Sequence, residues 1–312
     1  MITHHPHIVR RTPARRALLR AGLVLGLSSL VPLSAHAATT PAFVAEGARS
    51  VPGGRAVEVT VGQAEIRSNI SSSMAVAGGF GLLGAVVGSN IDSSRAKVAE
   101  TTISPLRDAL LDFDTDGLAV SATRSALATV DWMQPVDIKV SKDPTTLGMG
   151  SFLDASDAAQ GAFFNYDYEM SADFSTIKVV LSIQFANKAL AEGASKPESR
   201  FAWGKLAYAQ TLVSNIALPA PAATPDANAQ LWAAGDGKLA KQALTLAFSN
   251  IQTLIPRTLA LSESDISALN DKAKVKETTN GYTGRVQEKT DGHVLLWANS
   301  FVETDTLPQA QQ

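Results

Sequence analysis

Strict period-two alternation of apolar and polar residues is the feature that most restricts this chain. In residues 164–170, Phe164, Tyr166, Tyr168 and Met170 alternate with Asn165, Asp167 and Glu169. After a short break, Ile177, Val179, Leu181, Ile183 and Phe185 alternate with Lys178, Val180, Ser182 and Gln184. Alternation on both arms predicts a β-hairpin whose strands each bury one face against a core. Leu206, Tyr208, Gln210 and Leu212 continue the pattern and supply a third strand.

Around this hairpin the periodicity switches repeatedly. Val57, Val59 and Val61 alternate with Glu58 and Thr60, predicting a strand over 55–66. Residues 93–111 place Ala96, Ala99, Ile103, Leu106 and Leu110 at helical spacing, with Pro105 expected to kink or divide the helix. Val136, Ile138 and Val140 suggest a short strand. Thr224-Pro225-Asp226 is a strong helix start: a hydroxyl N-cap, proline at the first position and an acid in the first turn. The helix should run to about Ile255, be weakened early by Gly235 and Gly237, and end at Pro256. A shorter helix follows over 263–273 with Ser262 as cap. Residues 283–289 and 293–302 then form a hairpin around Asp291-Gly292. The expected fold is α+β, a mostly antiparallel sheet with local hairpins packed against two or three helices.

Residues 1–37 read as an address rather than as structure. Arg10, Arg11, Arg15, Arg16 and Arg20 precede an apolar run over 21–33, and Ala35-His36-Ala37 supplies a small-x-small site. This is the pattern of a secretory signal peptide cut between Ala37 and Ala38; an uncleaved anchor is the alternative reading. Arg15-Arg16-Ala17-Leu18-Leu19-Arg20 partly matches the twin-arginine export motif, so the general and twin-arginine routes both stay open. Either leads to a bacterial periplasm or cell envelope. The expected organisation is a signal peptide at 1–37, a lead-in at 38–54, one α+β domain at 55–304 and a flexible tail at 305–312.

Export would change the inventory of reactive groups. The 27 basic residues less those five leave 22 against 29 acids, a net charge of −7. That balance disfavours nucleic acid as a partner. There is no Cys, and His293 is the one His beyond residue 37. Disulfides, thiol nucleophiles, Cys-ligated metals and lipidation of a cysteine are therefore excluded.

Residues 70–91 contain the oddest segment. Fifteen residues, 74–88, carry no charge, and Ala77, Gly81 and Ala85 recur every four positions with Gly84 and Gly88 alongside. On a helix these make a small-residue stripe suited to close packing against a membrane helix, a partner or a second copy. Burial within the domain or a Gly-rich loop are the alternatives. The segment resembles the glycine-zipper stretches of bacterial envelope proteins.

Other motifs point less far. Asp112, Asp114, Asp116 and Gly117 have the spacing of the front of a calcium loop, but Thr123 stands where its bidentate Glu belongs, and the bland reading is a helix C-terminus with a Gly turn. Asp167, Glu169 and Asp173 read as the solvated face of a hairpin rather than an acid/base pair. His293 reads as a structural residue of a strand. Trp132, Trp203, Trp232 and Trp297 read as core rather than as a glycan platform. No metal or cofactor is expected.

Residues 78–92, 96–114 and 166–185 together resemble a family of exported gammaproteobacterial envelope proteins that has no assigned activity. The family is usually lipid-anchored through a Cys after the signal, which this chain lacks. What the resemblance implies is the compartment. The expected function is non-enzymatic, by protein–protein or membrane-surface interaction, with self-association through the Gly-rich segment. A carboxylate-dependent hydrolase acting on glycan or peptide, and a soluble ligand-binding module, are the alternatives.

Overall fold

Among the described residues, ten strands form one mixed, mostly antiparallel sheet, and alternation decides which of its faces is dry. The computed structural model describes residues 42–69, 90–133, 137–188 and 206–308. Residues 1–37 with the Ala37/Ala38 junction, and Ala77, Gly81, Gly84, Ala85 and Gly88 of the Gly-rich segment, lie outside them. No helix among the described residues is long and apolar enough to cross a membrane.

In chain order the elements are α1 (Glu46–Arg49), β1 (Arg55–Val61), β2 (Arg67–Ser68), α2 (Asn90–Ala109), α3 (Thr115–Leu127), β3 (Ile138–Ser141), α4 (Thr146–Ala155), β4 (Gln160–Met170), β5 (Thr176–Asn187), β6 (Tyr208–Ala217), α5 (Pro225–Ala260), α6 (Glu263–Leu269), β7 (Lys276–Thr279), β8 (Tyr282–Thr290), β9 (His293–Trp297) and β10 (Phe301–Thr306). The sheet runs β3-β1-β4-β5-β6-β10-β9-β8-β7, with β2 beside the end of β4. The expected α+β class is what the chain adopts.

The predicted hairpin is its centre. Strands β4 and β5 pair antiparallel with Tyr166 opposite Leu181, and β6 continues with Leu212 opposite Leu181. Their inward residues join Val57, Val59 and Val61 of β1 in the main core. Helices α2, α3 and α5 cover that face through Ile103, Leu106, Ala119, Ala126, Leu244, Phe248 and Ile251. A buried hydrogen bond of 2.8 Å joins Thr123 of α3 to the Tyr166 hydroxyl. On the opposite face α4 packs Met149, Phe152 and Leu153 onto Phe163 and Ala186, a small cluster separate from the main core.

Both internal prolines were expected to interrupt helices, and neither ends one. Helix α2 continues through Pro105 to Ala109, and α5 through Pro256 to Ala260. A proline inside a helix costs about 3 kcal/mol, but burying each large apolar side chain returns about 1.5–3 kcal/mol. Ile103 and Leu106 flank Pro105, Ile255 and Leu259 flank Pro256, and all four are buried. The break in α5 comes instead at residues 234–237, where Gly235, Asp236 and Gly237 all have positive φ. The Thr224 cap is present, its hydroxyl accepting from the Ala227 N–H, and Ser262 and Asp265 form a reciprocal capping box.

Two boundaries near the C-terminal end also move. The arm expected over 293–302 divides into β9 and β10, because the chain turns back at residues 298–300 with Asn299 at φ 62°. Strand β10 then runs to Thr306, and Leu307 is buried with its N–H on the Ala217 carbonyl, so ordered structure passes the expected start of the tail at 305.

Candidate functional site

The turn at residues 298–300 sets up the one cluster of metal-ligand residue types among the described residues. Strands β9 and β10 pair antiparallel with Asp305 opposite His293 and Glu303 opposite Leu295. Alternation then puts His293, Leu295 and Trp297 on the same face as Phe301, Glu303 and Asp305. Leu295, Trp297 and Phe301 continue the main core, so the three polar residues extend that face beyond its apolar part.

The geometry is tight. His293 Nδ1 lies 2.8 Å from Asp305 Oδ1 and 3.7 Å from Glu303 Oε1. One nitrogen and two carboxylate oxygens fall within 4.8 Å of one another. From α5, Asn250 donates its amide to Asp305 Oδ2 at 2.6 Å and to Ser214 Oγ at 3.1 Å, fixing the aspartate from the side away from His293. Further along α5, Arg257 pairs with Glu288 of β8 at 2.5 Å and lies over the Phe301 ring.

Glu303 carries the electrostatic strain. Its Oε2 is buried with no hydrogen-bond partner. Burial, then the neighbouring Asp305 charge, push its carboxyl up to about 7, with Glu288 adding to the effect and His293 and Arg257 opposing it. With His293 neutral, Glu288, Glu303, Asp305 and Arg257 sum to two negative charges. A divalent cation held there would cancel that sum. One imidazole nitrogen and two carboxylates form a borderline-hard donor set suited to Zn²⁺, Mn²⁺ or Fe²⁺, with coordination positions left over. Loading would replace the Nδ1 proton that His293 shares with Asp305.

The residues singled out from sequence have other employment. Asp114 is the N-cap of α3, accepting from the Gly117 N–H at 2.8 Å, and Asp116 pairs with Lys142. Thr123 lies inside α3 against Tyr166. The stretch thus runs from the turn that closes α2 into the start of α3, with Asp114 employed as a cap. Asp167 pairs with Arg67 and Glu169 with Lys178, while Asp173 accepts from Ser171 and Ser175 within the hairpin turn. Asp167 is more enclosed than a solvated strand face would make it, and burial raises its carboxyl. Trp232 is fully buried with its indole N–H on the Phe174 carbonyl, and Trp297 packs edge-on against Phe301. Trp132 stacks under the Arg55 guanidinium. Trp203 lies outside the described residues.

A ligand-binding module needs a deep, largely apolar pocket. A cleft of about 310 Å³ lies at the other end of the sheet between Gly53, Gly54, Lys139, Phe152 and Asp157, away from His293, and a shallower, more open depression of about 460 Å³ runs along α5 at Lys241, Gln242 and Thr245. Glu303 and Asp305 escaped the sequence reading because treating 293–302 as one arm conceals the turn that folds them back onto His293. The available signal was Asn299, a residue tolerant of left-handed backbone, between two apolar runs. No family model, curated protein or solved structure matches this chain.

Proposed function

We propose that this chain is an exported protein of the bacterial envelope that works by binding rather than turnover, and that it takes up a divalent transition-metal ion at His293, Glu303 and Asp305. The observation that carries the metal reading is the convergence of one ligand atom each from His293, Glu303 and Asp305 within 4.8 Å of one another, where the other Glu303 oxygen, Oε2, is buried without a partner. The compartment rests on the basic-apolar-small pattern of residues 1–37 and on the family resemblance. An envelope protein or membrane surface is the partner class, and the uncharged stripe at Ala77, Gly81 and Ala85 is the segment for membrane packing or self-association.

Calorimetric titration of chelator-treated protein with Zn²⁺ and Mn²⁺ tests the metal reading. Expected are one ion per chain, proton release on binding, and loss of binding in His293→Ala. Absence of saturable binding, or binding unchanged in His293→Ala, refutes it. Fractionation of the native host with a carbonate wash tests the envelope reading. Release of the protein by deletion of residues 74–88 supports anchoring there, and a wholly soluble protein refutes anchoring.

A carboxylate-dependent hydrolase is the second reading. It is favoured by Glu303, whose carboxyl keeps its proton to near neutral pH beside an acid two residues away. Turnover of glycan or peptide abolished by Glu303→Gln in metal-free protein would select it.

A further inference from the structure

On the sheet face away from α2, α3 and α5, a second acid is enclosed. Glu58 sits in the middle of β1 with Lys139 of β3 on one side and Phe163 of β4 on the other. Two residues on, Thr60 lies between Ser141 and Asn165. Alternation puts Glu58 and Thr60 opposite to Val57, Val59 and Val61, on the face that α4 covers through Met149, Phe152 and Leu153. Glu58 is 5% exposed and Thr60 fully buried. Asn165 Nδ2 approaches the Met149 sulfur of α4 at 3.9 Å.

Three buried polar atoms here have no partner: Glu58 Oε2, Thr60 Oγ1 and Asn165 Oδ1. Two are pure acceptors when Glu58 is ionised, and the single hydroxyl can donate to one of them only. A proton on Glu58 removes the buried charge and adds a second donor to this partnerless set. Glu58 is also connected to the start of α4. The Ser141 side chain, which favours the ionised form of Glu58, accepts through Oγ from the Asp143 N–H at 3.0 Å, and Asp143 Oδ1 accepts from the Thr145 N–H at 2.9 Å. Thr145 in turn caps α4 through the Gly148 N–H.

We infer that Glu58 is a proton-operated latch that holds α4 on the sheet when protonated and lets it lift when ionised. Helix α4 suits the role because it is anchored by a small apolar cluster outside the main core. The charged groups facing Glu58 are Asp143, which opposes its ionisation, and Lys139, which favours it. Lys139 Nζ itself lies 5.7 Å from the Phe152 ring of α4. Asp154 is the one titratable residue in α4, and Asp167 of β4, further along this face, is held by Arg67. Burial, the largest influence, raises the Glu58 carboxyl to about 7. Because the closed state holds this proton more tightly than the open one, opening is rarest below about pH 4.5. It grows about tenfold per pH unit up to about 7 and is level beyond.

Hydrogen exchange of the α4 amides, corrected for chemical exchange and followed from pH 5 to 8, tests the latch. The wild-type opening constant should rise about tenfold per unit to near pH 7, and Glu58→Gln should stay protected throughout. A flat wild-type profile, or the same slope in Glu58→Gln, overturns it. Carbon-13 titration of the Glu58 carboxyl in the unsubstituted protein is a second readout: a midpoint near 7 supports the latch, and one near 4.5 overturns it.

Discussion

Replacing Glu303 with Gln should stabilise the metal-free protein at alkaline pH and leave it unchanged in acid. The folded protein raises this carboxyl from its ordinary 4.5 to about 7, through burial first and Asp305 second. The native state therefore holds the proton more tightly than the unfolded chain, and stability is lost as pH climbs from about 4.5 to about 7. At roughly 1.4 kcal/mol per tenfold, full ionisation corresponds to about 3 kcal/mol. Solvent reaching the 12%-exposed side chain reduces this to about 2 kcal/mol. Gln keeps the shape and carries no charge, so Glu303→Gln should exceed wild type by about 2 kcal/mol at pH 8, or roughly 4–8 °C in Tm. Near pH 4 the two should coincide. Urea unfolding with chelator present at both pH values measures the difference. Zn²⁺ at a hundredfold over its Kd should reverse the order, adding about 2.7 kcal/mol to wild type alone. An advantage absent at pH 8, or equal at both pH values, refutes the reasoning.

Four further substitutions probe the frame that positions the site. Tyr166→Phe leaves Thr123 Oγ1 buried without its 2.8 Å partner, and should cost about 1–3 kcal/mol in denaturant unfolding. Adding Thr123→Val should recover much of that loss, since both polar atoms are then gone. Gly284→Ala places a Cβ 2.7 Å from the Trp297 carbonyl oxygen, forcing β8 and β9 apart; a loss of about 1–3 kcal/mol in thermal unfolding is expected. Trp232→Ala empties the space of the largest fully buried side chain and removes its bond to Phe174, and should cost about 3–5 kcal/mol by the same measurement.

Local rules made part of this fold legible and long-range pairing concealed the rest. The alternation of Phe164, Tyr166 and Tyr168 exposes the β4–β5 hairpin because the strands are neighbours in sequence. Thr224 and Ser262 announce their helices because capping is chemistry between residues two or three apart. Helix α3 was missed because Asp114 was weighed as a metal ligand or helix end, when its carboxylate caps the helix that follows. Pro256 misled because a proline's cost is local and readable, whereas the tertiary burial that outweighs it is not. The parallel pairings of β1 with β4 and of β6 with β10 join segments about a hundred residues apart, and nothing in either strand names its partner. The candidate site depended on one turn: with residues 298–300 read as strand, Glu303 and Asp305 never meet His293.

The placement of β10 bears on when this chain can become a protein. Strand β10 is the last in chain order yet stands inside the sheet, parallel to β6 on one side and antiparallel to β9 on the other. Until residues near Thr306 have been delivered, the β3–β6 block and the β7–β9 meander have no strand between them, and the main core stays open to water along that seam. The sheet can therefore close only once its last strand has arrived, whatever order the other strands form in.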